Sequence, residues 1–189
     1  MEIIETNLQF KNMNTRTSTE RIILHHADAK NCSAEDIHRW HLNNGWSGAG
    51  YHFLVRKDGK VYRLRPEDKV GAHAYGANYN SLGICFEGDY MQEDMPEAQK
   101  QAGKELVVYL KNKYKISTVQ KHKDVCATSC PGDKFPFDEI VNSETNNKVI
   151  PQPQENVQKG NVARIQAILN DKYGLSIAVD NIYGNETKK

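Results

Sequence analysis

Short apolar runs alternate with amphipathic segments along the chain up to about residue 141. The run Arg21-Ile22-Ile23-Leu24 predicts a buried strand that delivers His25 and His26 at its end. Residues 81–86 form a second short apolar run and predict another buried strand. Residues 116–119 predict a weaker strand that leads to His122. Histidines are therefore expected at the ends of two strands.

Two further apolar runs flank a tight turn. Residues 51–55 and 61–64 lie on either side of Lys57-Asp58-Gly59. Asp-Gly supplies the positive φ that a short hairpin turn requires, so these runs predict two antiparallel strands. Residues 1–18 have no clear periodicity and are expected to enter the fold as a strand or a loop.

Two segments have the periodicity of helices. Ser33 followed by Asp36 resembles a capping box, and it predicts a helix over residues 33–43 with one face formed by Ile37, Trp40 and His41. Pro96 stands at the expected first position of a longer helix. Its apolar stripe repeats every four residues and should lie on the sheet: Ala98, Ala102, Leu106, Leu110 and Tyr114.

Strands that alternate with helices predict an α/β fold, with a single domain over residues 1–141 and a central mixed β-sheet flanked by helices on both faces. Residues 142–160 are rich in Asn, Gln and Pro without apolar periodicity, and they predict a linker. Within residues 161–189 a short amphipathic helix is predicted from Val162, Ile165, Leu169 and Tyr173. We expect a short helical appendage there, because about 30 residues cannot build an independent core.

The composition excludes several classes of protein. Lys and Arg number 25 against 24 Asp and Glu, so the formal net charge of +1 lacks the basic excess of nucleic-acid-binding proteins. We therefore expect no nucleic acid partner. No stretch approaches the roughly 18 apolar residues of a membrane span, and the first residues lack the pattern of a signal peptide. Nothing in the composition predicts an oligomer.

The chain has four cysteines: Cys32, Cys85, Cys126 and Cys130. Four cysteines suit two disulfides in a small secreted protein, but a chain of 189 residues without an export signal does not need them. Free thiols are therefore expected. A disulfide-stabilised secreted adhesin is the alternative that this expectation disfavours.

Histidine and cysteine positions raise the question of a metal site. His25 follows a predicted buried strand, and His122 precedes Cys130 by eight residues. A catalytic zinc requires three N, O or S ligands and one open position, which two strand ends and a loop can supply. Buried histidines are more often satisfied core residues, so the residues alone leave both interpretations open.

Seven sequence runs occur in a characteristic order: Ile23-Leu24-His25-His26, Gly45-Trp46, Gly50-Tyr51-His52-Phe53-Leu54-Val55, Asp58-Gly59-Lys60-Val61-Tyr62, Gly71-Ala72-His73, Asn80-Ser81-Leu82-Gly83-Ile84, and His122-Lys123-Asp124-Val125 with Cys130-Pro131-Gly132. Together they resemble the zinc-dependent N-acetylmuramoyl-L-alanine amidases of the type-2 family, which includes phage endolysins and peptidoglycan recognition proteins. The resemblance covers roughly residues 20 to 140.

The resemblance implies one catalytic zinc ion, held by His25, His122 and Cys130 in a groove at one end of the strands. It also implies two catalytic residues. Tyr51 matches a family tyrosine whose phenol points at the water on the zinc, and Thr128 matches a Thr or Lys beside the scissile carbonyl. Some relatives have a catalytic Glu where this chain has Cys85, with Glu87 two residues later, so the general acid for the leaving amine stays open.

The predicted substrate-binding residues are Trp46, His73 and Asn80. His73 and Asn80, with Tyr75 and Asn78, resemble the groove that holds the muropeptide, and a polar surface loop is the alternative explanation for Tyr75 and Asn78. Trp46 either stacks on a sugar or peptide or caps the core. His26 and His52 are expected to point away from the metal site, because side chains alternate along a strand.

The resemblance implies hydrolysis of the amide between the lactyl group of N-acetylmuramic acid and L-alanine in bacterial peptidoglycan, as in an endolysin or autolysin. A non-catalytic peptidoglycan recognition module and an amidase acting on recycled wall fragments are the alternatives. The presence of Cys130 favours catalysis. Residues 161–189 resemble the front of a peptidoglycan-binding repeat, which favours polymeric wall as the substrate. Without a signal peptide, we expect release from a host cytoplasm or non-classical secretion.

Overall fold

The structure is a computed structural model, and it describes residues 1–142. In chain order the elements are β1 (Ile3–Glu5), β2 (Arg21–His26), α1 (Ala34–Asn43), β3 (Phe53–Val55), β4 (Val61–Arg63), β5 (Ser81–Phe86), α2 (Glu97–Tyr114), β6 (Thr118–Lys121) and α3 (Phe137–Val141). The predicted appendage over 161–189 lies outside the described residues, as does the predicted linker over 142–160 apart from Asn142.

The strands form one mixed sheet in the order β1-β4-β3-β5-β2-β6. β3 pairs with β4 antiparallel, and the other neighbouring strands pair in parallel. β2 and β5 lie inside this sheet, where both faces are covered, and this explains their continuous apolar sequences. The mixed α/β class predicted from the sequence is confirmed.

Helices cover both faces of the sheet. On one face, α2 and α3 pack on the side chains of β2 and β5 that include Leu24 and Ile84. On the other face, α1 buries Ala34 and Ile37 against a cluster that contains Cys85. The capping box predicted for α1 is present, because the Ser33 hydroxyl accepts the N–H of Asp36 at 3.0 Å and the Asp36 carboxylate accepts the N–H of Ser33 at 3.0 Å.

The predicted hairpin forms, with Gly59 at a φ of +83° in the turn between β3 and β4. Its first strand is shorter than expected, because Tyr51 and His52 precede β3. The Gly50 N–H before this segment donates to the Nδ1 of His41, and the Gly50 carbonyl accepts the N–H of Ala72. The backbone of His52 still bonds to Gly83 and Leu64, so the departure from strand geometry falls at Gly50 and Tyr51. Tyr51 is therefore presented from a bend rather than from a strand.

The predicted inner face of α2 is wrong at its start. Ala98 is exposed, and Gln99 is fully buried instead. The Gln99 side-chain amide donates to the carbonyls of Val55 and Glu87 at 2.9 and 2.8 Å, so it links the ends of β3 and β5. The polar amide is buried here because backbone carbonyls accept its N–H groups, so it is hydrogen-bonded inside the core.

The short helix α3 is absent from the sequence-based expectations, although its Ile140 is fully buried in the core. Five residues are too few to show a helical period. Within residues 1–142, no helix is both long enough and apolar enough to cross a membrane.

Candidate metal centre and active site

Three potential metal ligands meet where β2 and β6 end. Leu24 pairs with Lys121 across the two parallel strands, so the next residue on each side is a histidine, His25 and His122. The imidazole centroids of these histidines are 4.4 Å apart. The Sγ of Cys130 lies 3.8 Å from the Nδ1 of His25. One ligand atom of each of the three residues lies within 4.8 Å of the other two, so the group can hold a metal ion.

The loop after β6 places Cys130. His122–Asp124 form a single 3-10 turn, and the N–H of Lys123 donates to the carbonyl of Cys130 at 2.9 Å, which closes the loop on itself. Gly132 has a φ of +100°, and a Cβ at this position would lie 2.4 Å from the backbone of Tyr90. The loop therefore packs directly on a neighbouring backbone, which fixes the position of the cysteine.

The donor set suits a zinc ion. Burial, with a smaller contribution from neighbouring histidines, lowers the pKa of His25 and of His122, so both imidazoles are neutral at physiological pH. Burial raises the pKa of the Cys130 thiol to about 11. A metal ion would displace that proton and bind the thiolate, giving two neutral nitrogens and one anionic sulfur. Three protein ligands of this kind leave the fourth position of a tetrahedral zinc open, as catalytic zinc sites require.

The seven histidines of the chain fall into two groups according to their Nδ1 atoms. In four of them Nδ1 accepts a backbone N–H, and these are His26, His38, His41 and His52. A neutral ring of this kind has its hydrogen on Nε2 and offers no lone pair to a metal. The other three are His25, His73 and His122, and the rings of His73 and His122 lie 5.0 and 4.4 Å from that of His25.

A second group of three potential ligands is formed by His26, Asp28 and Asp89. The N–H of Tyr90 donates to the Nδ1 of His26 at 3.1 Å. The Asp89 carboxylate accepts hydrogen bonds from the backbone of Met91 and the side chain of Gln92. The ligand atoms of His26 and Asp89 are already engaged in holding the turn after β5, so the first group is the better metal site.

Tyr51 lies beside the ligand group, with its ring centroid 5.0 Å from that of His25. Burial, followed by the nearby Cys85 and Cys130, raises the pKa of its phenol well above the ordinary value, so the group is a neutral O–H donor. His41 lies between Tyr51 and Trp46, at centroid distances of 5.3 and 4.6 Å. His41 was not expected in the site, and its only signal in the sequence is its place on the inner face of α1.

Thr128 is exposed in the loop that bears the cysteine ligand. Its Oγ1 accepts the N–H of Cys130 at 3.2 Å. The hydroxyl hydrogen is therefore directed elsewhere and can be donated to a substrate oxygen. The structure thus places both predicted catalytic side chains next to residues of the ligand group.

The three predicted substrate contacts do not come together. Trp46 is 41% exposed and contacts His41. Asn80 lies at the opposite end of the strands from the metal group, because it precedes Ser81, which pairs with Arg21 at the start of β2. Its amide donates to Glu20 there at 2.8 Å.

His73 is only 7% exposed and lies behind His25. The Nε2 of His25 and the Nδ1 of His73 are 3.0 Å apart. His73 therefore contacts a predicted metal ligand instead of facing an open groove.

The two residues considered for the general acid have different environments. Glu87 is buried, and its carboxylate accepts two hydrogen bonds from Arg56 and the backbone N–H groups of Lys57 and Cys32. It is a structural anchor, because these donors hold both carboxylate oxygens. Cys85 pairs with His25 across β2 and β5 and is fully buried, which raises the pKa of its thiol. Neither residue has the properties of an accessible proton donor.

Comparisons with known proteins show similarity of sequence and fold to one family. The sequence profile described as N-acetylmuramoyl-L-alanine amidase matches residues 15–133. The endolysin of Enterobacteria phage T3 is 37% identical over 132 residues, which are 66% of this chain and 85% of that endolysin. The solved structure of the N-acetylmuramoyl-L-alanine amidase LysC from Clostridium intestinale URNW is 41% identical with a TM-score of 0.73, covering 74% of this chain and 95% of that one.

A recognition protein shares the fold. Bumblebee PGRP-SA is 31% identical with a TM-score of 0.65, covering 70% of this chain and 90% of that one. The fold and these matches together define an enzyme of the amidase class. More narrowly, the chain belongs to the N-acetylmuramoyl-L-alanine amidase family. The family predicted from the sequence is confirmed, as is the prediction that the protein is an enzyme.

Proposed function

We propose that this protein is a zinc-dependent N-acetylmuramoyl-L-alanine amidase that cuts the amide between the lactyl group of N-acetylmuramic acid and L-alanine in bacterial peptidoglycan. The observation on which the proposal rests is the convergence of His25, His122 and Cys130, with ligand atoms within 4.8 Å of one another. Zinc, when bound there, supplies Lewis acidity for a carbonyl and a lowered pKa for a water molecule.

Two side chains have assigned roles in the hydrolysis. The neutral phenol of Tyr51, beside His25, orients the attacking water by a hydrogen bond. The free hydroxyl hydrogen of Thr128 is donated to the oxygen of the lactyl carbonyl as charge develops on it. The water oxygen bonds to the carbonyl carbon, the C–N bond breaks, and both water protons pass to the leaving nitrogen. The products are a lactyl carboxylate and a stem peptide with a free amino terminus.

The proposed substrate is polymeric wall, reached as an endolysin or autolysin reaches it. The exposed Trp46 contacts His41, which in turn contacts Tyr51, and its indole offers a flat apolar surface near the ligand group for a sugar or a peptide. We propose residues 1–141 as the catalytic domain, 142–160 as a linker and 161–189 as a partial peptidoglycan-binding-like segment. A peptide of residues 150–189 should fail to sediment with purified sacculi, and sedimentation would contradict this assignment of the last segment.

The alternative function is recognition without cleavage, because recognition proteins share the fold. The complete ligand group favours catalysis, since the cysteine supplies the one anionic ligand of the site. Digestion of purified peptidoglycan, scored for new N-terminal alanine and for new reducing sugar, separates the two. Alanine alone supports the amidase. Neither product, with retained wall binding, makes the protein a recognition module.

Two matched variants sharpen this test. Cys130→Ser should lose bound zinc and alanine release together. Cys126→Ser changes a thiol in the same loop that contacts the carbonyl of Tyr75 and is outside the ligand group, so it should keep both. Normal alanine release by Cys130→Ser would overturn the proposed role of the ligand group.

A further inference from the structure

We propose that His73 is a positioning residue that holds His25 in the tautomer and ring orientation needed to bind zinc. The inference rests on the proposed function, in which His25 is a zinc ligand. Its physical basis is a chain of hydrogen bonds that runs from His25 through His73 to Ser81 and ends on a backbone carbonyl. Hydrogen-bonded groups of this kind behind a ligand contribute to metal affinity by orienting it.

The direction of each hydrogen bond follows from the geometry. The Nδ1 of His25 faces the Sγ of Cys130 at 3.8 Å, so Nδ1 is the atom available to the metal. A neutral imidazole that binds through Nδ1 must have its hydrogen on Nε2. That N–H points at the Nδ1 of His73, 3.0 Å away, which must then be an acceptor. The tautomer of His73 is thereby set, with its own hydrogen on Nε2.

The remainder of the chain agrees with this assignment. The Nε2 of His73 lies 3.3 Å from the hydroxyl oxygen of Ser81. The Ser81 hydroxyl donates in turn to the carbonyl of Ala77 at 2.6 Å. His25, His73 and Ser81 each donate one hydrogen to the next group, and the chain ends on the Ala77 carbonyl, which only accepts. The opposite direction fails, because Ser81 has already donated its hydrogen to Ala77.

The fold makes room for the His73 ring. A Cβ added at Gly83, in the middle of β5, would lie 2.6 Å from the ring carbon Cγ of His73. A Cβ at Gly71 would lie 2.5 Å from its Cδ2. The Asn78 side-chain oxygen accepts the N–H groups of His73 and Ala74, each at 2.9 Å. The ring and the backbone of His73 are therefore both held in place. Gly83 has no side chain because the His73 ring occupies the space that a Cβ would need.

The neighbouring His52 supplies a matched comparison. Its ring centroid is 5.7 Å from that of His73, and the residue is also fully buried. Both of its nitrogens are engaged with backbone, with Nδ1 accepting from Gly83 and Nε2 donating to the carbonyl of Lys69. His52 thus joins β5 to a loop without contacting a metal ligand through a hydrogen bond.

The test measures zinc affinity of the full-length protein by chelator competition, together with the absorption spectrum of the Co²⁺-substituted form. His73→Leu removes the acceptor and should weaken zinc binding by about 10- to 100-fold. His73→Asn places a side-chain oxygen near the former Nδ1 and should restore most of the affinity. Ser81→Ala, at the end of the chain, should weaken binding by less than His73→Leu and alter the Co²⁺ spectrum less.

His52→Leu is the control for buried-histidine loss, and thermal unfolding is followed for every variant. Zinc affinity within twofold of wild type in His73→Leu overturns the proposal, as does an equal loss in His52→Leu or no recovery in His73→Asn. A wild-type protein that binds zinc but releases no alanine overturns the proposed function while leaving this inference intact. A wild-type protein that binds no zinc overturns both.

Discussion

Leu24 on β2 and Lys121 on β6 are paired in register, and this single pairing sets His25 beside His122 with ring centroids 4.4 Å apart. The pairing is parallel, so both strands deliver their histidines at the same edge of the sheet. A slip of one residue would turn a histidine to the other face of the sheet, because side chains alternate along a strand. The metal group therefore depends on sheet register as much as on residue type.

Zinc binding should release at least one proton at neutral pH, the one on the cysteine thiol. Burial raises the pKa of the Cys130 thiol to about 11, whereas the lowered pKa values of His25 and His122 leave these rings already neutral. Among the three ligands only the thiol must lose a proton, so zinc affinity should rise at least about tenfold per pH unit between pH 7 and 9, and more steeply where the water on the zinc also ionises. Calorimetric titration in buffers of different ionisation enthalpy counts the protons. Release of none would contradict a thiolate ligand.

Tyr51→Phe should lower kcat by about 100-fold or more while leaving zinc affinity within about twofold. The substitution removes only the phenol O–H, and the ring that packs on His25 and His41 stays in place. Alanine release from purified wall measures kcat, and chelator competition measures zinc. An unchanged kcat would remove Tyr51 from the mechanism.

Thr128→Val should lower kcat by about 100-fold, because the hydrogen that stabilises the developing oxyanion is lost. Thr128→Ser keeps the hydroxyl that accepts the N–H of Cys130, so it should stay close to wild type. The pair of variants separates the hydroxyl from the methyl group. Equal loss in both variants would show that shape, and not the hydrogen bond, determines the role of this residue.

Glu87→Gln should destabilise the fold by about 3 kcal/mol, since it breaks a buried charge pair on one side. Burial alone would raise the pKa of Glu87, but hydrogen bonds from Arg56, Lys57 and Cys32 outweigh it, and the pKa lies below the ordinary 4.5. A carboxyl with a lowered pKa stabilises the fold above its unfolded pKa, and this contribution disappears as the pH falls below 4.5 and through the lowered value.

Glu93→Gln is the matched control, because Glu93 pairs with the adjacent Lys57 but its side chain is 26% exposed against 2% for Glu87. Its loss should cost less than about 1 kcal/mol. Urea unfolding of both variants at pH 7 and pH 4 provides the comparison. The difference between wild type and Glu87→Gln should shrink at the lower pH, and a constant difference would contradict the ionised anchor.

Local sequence was sufficient for most elements because their signals are short-range. The apolar runs of β2 and β5, the Asp58-Gly59 turn and the Ser33 cap each express a backbone preference or a burial pattern that operates within a few residues. Two features escaped this logic. Helix α3 is too short to show a period, and Gln99 is buried because of carbonyls that approach from two strands distant in sequence.

The candidate site divides in the same way. Its ligands were predicted from resemblance in ordered motifs, and the structure brings His25, His122 and Cys130 together. The roles expected of Asn80 and His73 followed from motif position alone. Asn80 lies at the opposite end of the strands from the ligands, and His73 lies beneath the ligand His25. Strand pairing and burial decide where each side chain lies, and motif position alone does not show this.

By itself, the sequence determined most of the strands and helices, the α/β class and the family, because these follow from local patterns and residue order. The tertiary structure decided which of the seven histidines have a nitrogen free for a metal and which are engaged by backbone N–H groups. The reason is physical: the available lone pair of an imidazole depends on the donor opposite it, and that donor is placed by the fold.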